Sequence, residues 1–147
     1  MIEINNLHKT FNHGTINEVY ALQEINVKIK EGEFVTIIGT NGSGKSTLLN
    51  AIAGNFIPDT GFIKIDGIDV TTKKDYSRAK YISRVFQNPY MGTAPDMTIA
   101  ENLHLANLRG LGRYPRIGLS SEKISKYKER VKLLEMQLEE RLDNIIG

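Results

Sequence analysis

A chain of 147 residues with 40% hydrophobic and 24% charged side chains has the composition of one ordinary globular domain, which argues against a disordered or low-complexity protein. Its 19 basic and 17 acidic residues leave a formal charge of +2, so nothing in the overall charge calls for nucleic acid, and no nucleic-acid partner is expected. Zero cysteines exclude a disulfide framework or a thiolate metal site, Met1 to Tyr20 hold no apolar leader core, and no segment approaches the roughly 18 apolar residues of a membrane span.

In chain order, Ile2 to Leu7 and Ile25 to Ile29 read as strands, the alternation being clearest in Ile25-Asn26-Val27-Lys28-Ile29. A polar, Gly-containing excursion runs between them from Asn12 to Tyr20. Phe34 to Ile38 is an apolar, β-branched run and reads as a third strand. Directly after it, Gly39-Thr40-Asn41-Gly42-Ser43-Gly44-Lys45-Ser46-Thr47 fits G-x-x-x-x-G-K-[ST], a pattern that chance would give a chain of this length roughly once in 200 cases. Lys45 to Ala53 then reads as a helix, completing the strand, glycine turn and helix that a phosphate loop requires.

The chemistry of the loop follows from its residue types. Gly39, Gly42 and Gly44 let main-chain N–H groups approach an anion, and the helix start adds its partial positive charge and unpaired amides. The backbone of Thr40, Asn41 and Ser43 belongs to the same cradle. Lys45 reaches β- and γ-phosphate oxygens as a point charge, Ser46 offers a hydroxyl to Mg²⁺, and Thr47 is placed to bond the α-phosphate. Packing alone gives no reason for Lys-Ser at those two positions.

Further along, Phe62 to Asp66 and Tyr81 to Phe86 read as strands. Thr98 and Glu101 form a capping box that starts a helix running from Ile99 to about Leu108. Arg109 to Leu119 is a Gly/Arg-rich connector whose Arg109, Arg113 and Arg116 read as a solvated loop. From Ser121 the spacing of Ile124, Tyr127, Val131, Leu134, Leu138, Leu142 and Ile145 gives a core-facing helical stripe, with Leu138-Glu139-Glu140 part of a helix face. The three histidines, His8, His13 and His104, read as surface or strand-edge residues.

Over nearly its whole length the chain resembles the nucleotide-binding cassette of ABC transporters. The resemblance rests on Glu31-Gly32-Glu33-Phe34 ahead of the loop, Ser46-Thr47-Leu48-Leu49, Ala53-Gly54, Gly61-Phe62-Ile63-Lys64-Ile65-Asp66-Gly67, Val85-Phe86-Gln87-Asn88-Pro89 and Thr98-Ile99-Ala100-Glu101-Asn102-Leu103. It implies an α/β P-loop NTPase with an antiparallel β-subdomain, the start of a helical subdomain and an incomplete central sheet. As domains it implies one N-terminal cassette portion over 1–147, with about 1–91 the β-subdomain and loop core and about 92–147 the start of the helical subdomain. The family also implies ATP and Mg²⁺ as cofactors. Gln87 inherits the Q-loop role, sensing the γ-phosphate through Mg²⁺ and the attacking water, and joins Lys45 as a catalytic candidate and Ser46 as a metal ligand. Phe11 matches the aromatic residue that stacks on adenine; taken alone it is equally a core phenylalanine, and Tyr20 is a second candidate.

Two family elements are missing from the sequence. The signature Leu-Ser-Gly-Gly-Gln occurs nowhere, and neither does an apolar strand ending in Asp-Glu; Ile63-Lys64-Ile65-Asp66-Gly67 has a lysine in the strand and glycine where the base would stand. The chain therefore reads as the first half to two-thirds of a cassette, expected to bind ATP but to hydrolyse it poorly, since a lost general base alone forfeits about 10²–10⁴ in rate. Exposed hydrophobic surface and a tendency to aggregate are expected of such a piece. The resemblance implies membrane-spanning permease subunits and a second cassette as partners, a cytoplasmic place on the inner face of the cell membrane, and a groove for the permease at Asn88 to Pro95. The residues alone leave that groove equally readable as a loop packed on its own domain. Rival readings are an ABC ATPase of translation or DNA maintenance and a nucleotide-binding remnant without catalysis. A GTPase is the least favoured, as no Asn-Lys-x-Asp motif is present.

Overall fold

In the computed structural model, which describes residues 1–111 and 118–146, the chain divides into two compact units, Met1–Ile82 and Ser83–Gly147. Arg113 and Arg116 of the connector lie outside the described residues.

The first unit is built on a four-stranded antiparallel sheet of order β2-β1-β3-β4, with β1 Ile2–Phe11, β2 Val19–Ile29, β3 Thr60–Ile65 and β4 Ile68–Asp69. β1 pairs on both sides, Ile4 standing opposite Val27 on β2 and Ile63 on β3. The β1–β2 register slips between Ile4 and Leu7, where Asn6 and Glu24 take left-handed backbone angles of φ 44 and 49. Asn26 stabilises this bulge, accepting from Asn6 N at 2.8 Å and donating to Glu24 O at 2.8 Å. Gly61 of β3 is needed opposite it, because a Cβ there would lie 2.3 Å from Asn6 O.

One face of the sheet is covered by α1, Lys45–Ala53, which buries Leu48 and Ala51 into a core with Ile4, Leu7, Leu22, Ile63, Ile65 and Val70. Each fully enclosed aliphatic side chain here contributes about 1.5–3 kcal/mol. The helix stops at Gly54, φ 86, where Gly54 N bonds to Ala51 O and Asn55 N to Asn50 O, the glycine termination expected of a left-handed cap. A short helix α2, Asp75–Arg78, then delivers Arg78, whose side chain is buried.

The strands expected at Phe34–Ile38 and Tyr81–Phe86 are not formed. Residues 33–40 and 82–86 carry no ladder, and Phe34, Ile38 and Val85 are 95%, 89% and 97% exposed. Strand structure needs a partner's N–H and C=O groups, and no described segment lies alongside to supply them. Apolar β-branched sequence fixed the propensity but not the partner, so the sheet of the loop core is incomplete.

In the second unit α3 spans Ile99–Asn107 and α4 Ser121–Lys132. The Thr98–Glu101 capping box is present in full, Thr98 Oγ1 accepting from Glu101 N and Glu101 Oε2 accepting from Thr98 N at 2.8 Å. Ala100, Tyr127, Val131 and Leu142 form the core, with Ile124 and Leu138 packed on it. The long stripe expected from Ser121 ends as a helix at Lys132: Glu135 and Gln137 turn left-handed, Leu138–Glu140 is a single 3₁₀ turn, and Leu134 and Ile145 are exposed. The chain turns back because the carbonyls of Leu142 and Asn144 accept from Ala100 N at 2.9 Å and Ile99 N at 3.0 Å, closing the start of α3. His104 is likewise a correction: it is buried on α3 and bonded through Nδ1 to Tyr127 Oη at 2.9 Å, whereas His8 bonds Asn6 and His13 is exposed. The hydroxyl satisfies the ring nitrogen, which removes the main cost of burial.

Candidate functional site

The loop Gly39–Thr47 sits at the N-terminus of α1. Gly42 and Gly44 take φ 83 and 85, angles that strain any residue with a side chain, and Gly44 is the residue from which α1 starts. A Cβ on Gly44 would also meet Ala21 O of β2 at 2.6 Å, and one on Gly39 would meet Ser43 Oγ at 2.6 Å. Glycine is therefore required by close approach to backbone at Gly44, whereas at Gly39 a turn of the Ser43 hydroxyl would relieve the contact.

Inside the loop, Lys45 Nζ donates to Gly39 O at 2.8 Å and Thr40 O at 2.7 Å, with Ser43 Oγ at 3.4 Å. A Ser43 N to Thr40 O bond of 3.2 Å closes the intervening turn, which leaves Asn41 exposed at its tip. The first turn of α1 has neither a side-chain cap nor an acidic residue, so its amides and dipole face outward uncompensated by protein groups. Ser46 is exposed and Thr47 half-buried in that turn. Among the described residues no cluster of His, Cys, Asp or Glu can hold a metal unaided.

Phe11 ends β1 and is half-buried, its ring edge-on to Phe56 with centroids 5.3 Å apart. Tyr20, opposite Thr10 on β2, is 63% exposed. The hydrogen bond from Tyr20 holds the Glu18 carboxyl below its ordinary range, helped by Gly14 N, and the same bond raises Tyr20. Gln87 belongs to the second unit and is exposed, just ahead of the 3₁₀ turn Pro89–Met91.

That turn is held by residues whose roles the sequence did not disclose. Asn88 Oδ1 accepts from Tyr90 N at 3.0 Å, and Asn102 of α3 accepts from Ala94 N at 2.8 Å while donating to Ala94 O, Met97 O and Thr98 O. Gly92 lies against Phe86, and Tyr90 and Met91 stand 57% and 69% exposed. Asn102 was legible only as part of a motif; its amide pins the segment between the turn and α3.

A glycine loop leading into a helix, an uncapped helix start and an ammonium enclosed by loop carbonyls are the features of a P-loop fold. The sequence profile of the ABC transporter family matches residues 22–145, and the chain belongs to that family. Among curated relatives it is 45% identical over 112 residues to the tyrosine transport ATP-binding protein of Clostridioides difficile R20291, covering 75% of this chain and 44% of that protein. It is 33% identical over 138 residues to the energy-coupling factor transporter ATP-binding protein EcfA1 of Enterococcus faecalis V583, covering 92% of this chain and 46% of that one. The ATP-binding cassette MJ0796, solved as a dimer in a post-hydrolysis state bound to ADP and Pi, superposes with a TM-score of 0.76 at 33% identity, over 99% of this chain and 61% of that one. The chain thus spans less than half the length of these two curated relatives.

Proposed function

We propose that this chain binds ATP with Mg²⁺ at Gly39–Thr47 and forms the nucleotide-holding part of an ABC transporter ATP-binding subunit. The reading is carried by the first turn of α1, which has no protein cap and no acid, with the Lys45 ammonium held within the loop beside it. An anionic phosphate oxygen adds full charge–charge attraction to the bond that this ammonium makes with a neutral carbonyl, so phosphate displaces Gly39 O and Thr40 O. Main-chain amides of the loop and of α1 hold the β-phosphate, Thr47 the α-phosphate, and Phe11 stacks on the base. Ser46 offers its hydroxyl to Mg²⁺, which takes few protein ligands and keeps water and phosphate oxygens for the rest, and Gln87 is assigned to the ion on the family resemblance alone. When bound, the ion supplies charge neutralisation on the phosphates. Lys45 and Gln87 are the catalytic candidates of the whole cassette.

The complete protein, on this reading, couples ATP binding and hydrolysis to transport through membrane-spanning permease subunits, and pairs with a second cassette. Residues 1–91 serve as β-subdomain and loop core and 92–147 begin the helical subdomain. No helix among the described residues is long and apolar enough to cross a membrane. A cytoplasmic site on the inner face of the membrane, reached through the permease, follows as part of the proposal.

Titration calorimetry with Mg-ATP is expected to give saturable binding, while phosphate release stays near the uncatalysed background because neither the Asp-Glu strand nor the signature is in the sequence. Absence of binding would overturn the reading. For the permease, a cysteine placed by Met91→Cys should crosslink to the membrane subunit to an extent that changes with nucleotide; a yield independent of nucleotide would refute a docking role for Pro89–Met91.

A further inference from the structure

The end of β1 is tied to the loop that follows α1 by a compact group of side chains. Phe11 and Phe56 meet at an interplanar angle of 82°. Lys9 Nζ stands 5.6 Å from each ring centroid and is fixed by Asp59 Oδ1 at 2.7 Å and Ile57 O at 3.1 Å. Asp59 in turn accepts from Thr10 N at 2.6 Å, and its own N–H bonds His8 O at 2.9 Å. The bond from Lys9 and that from Thr10 hold the Asp59 carboxyl below its ordinary range, so Asp59 is a carboxylate at neutral pH.

Phe11 is half-buried, with an ammonium beside its ring. Phe56 is packed on the core of the first unit and lies just past Gly54, the cap of α1. The helix that presents the phosphate loop at its N-terminus therefore carries, past its C-terminus, the ring that fixes Phe11. We infer that Phe56, backed by the Lys9–Asp59 pair, is a positioning residue that sets the orientation of Phe11 for stacking on the nucleotide base and fixes that ring relative to the phosphate loop. The inference rests on the nucleotide-site reading above.

The test separates base from phosphate. Calorimetry is run on the full chain with ATP and with inorganic tripolyphosphate, both with Mg²⁺. Phe56→Leu should weaken ATP about 3- to 10-fold, the scale of one ordered aromatic contact, and leave tripolyphosphate within about 2-fold. Phe56→Tyr, which keeps the ring, should restore ATP affinity. Equal losses for both ligands would mean a merely structural role and overturn the inference, as would no loss for either. If Phe56→Leu fails to fold, Lys9→Met, which keeps both rings, is measured for the same split. Failure of the parent chain to bind either ligand would instead strike the nucleotide-site reading itself, whereas tripolyphosphate binding without any preference for ATP would leave that reading standing and refute base stacking at Phe11.

Discussion

Lys45→Ala is expected to lower the affinity for Mg-ATP by at least about 100-fold. The ammonium is enclosed by Gly39 O and Thr40 O in the mouth of the loop, at distances that a phosphate oxygen would take over. Hydrogen bonds to charged groups are worth about 1.5–3 kcal/mol each, so two bonds to phosphate account for an effect of this size. The carbonyls released in the variant belong to exposed residues and pass to water, so the thermal midpoint should move little. Lys45→Arg should also lose most of the affinity, because a planar guanidinium cannot occupy a pocket formed for a compact point charge. Calorimetry beside a thermal melt checks both variants. An unchanged affinity in Lys45→Ala would remove the lysine from the site.

Arg78→Met should cost the first unit about 3–5 kcal/mol of stability. Arg78 is 1% exposed, and its guanidinium donates from Nε to Lys73 O at 2.7 Å, from Nη1 to Ala51 O and Ile52 O at 2.7 and 2.8 Å, and from Nη2 to Thr71 O at 3.0 Å. Methionine of similar length would take from Ile52 O, Thr71 O and Lys73 O their only donor among the described residues, at about 1–3 kcal/mol for each group left unsatisfied, while Ala51 O keeps its bond from Gly54 N. Ala51 and Ile52 lie in the last turn of α1, where a cation also offsets the helix dipole. Burial lowers the pKa of Arg78 from its usual value, but a guanidinium begins so far above neutrality that the charge persists. Gly54 belongs to the same arrangement, since a Cβ there would lie 2.7 Å from Arg78 Nε. Against a typical domain stability of about 5–15 kcal/mol the loss is large, and denaturant unfolding would report it directly. A midpoint unchanged in the variant would rule out the bonding described.

Arg78 also marks where reading the sequence stops. It stands in the polar run Thr71 to Lys80, which looks like loop, and two of its partners are 26 and 27 residues away, beyond any local pattern. The phosphate loop, α1 and the Thr98–Glu101 box were legible because each is specified by neighbours within about four residues. Phe34–Ile38 failed for the converse reason: its residues favour a strand, but a strand exists only where another segment pairs with it. The end of α4 escaped notice because no glycine or proline announces it; carbonyls required by α3 draw the chain away. Phe56, an unremarkable apolar residue past a glycine cap, gains meaning only from its contact with Phe11.

The closure of α3 by Leu142 and Asn144 bears on the order in which the chain is made. Every residue of the first unit's sheet and core has been synthesised once Ile82 is added, so that unit has what it needs to fold while translation continues. The amides of Ile99 and Ala100 must instead wait for carbonyls near the other end of the sequence. At roughly 5–20 residues per second the interval is a few seconds, long compared with helix formation. During that time the Thr98–Glu101 box and the Asn102 amide hold the start of α3, as a temporary terminus before the later chain arrives.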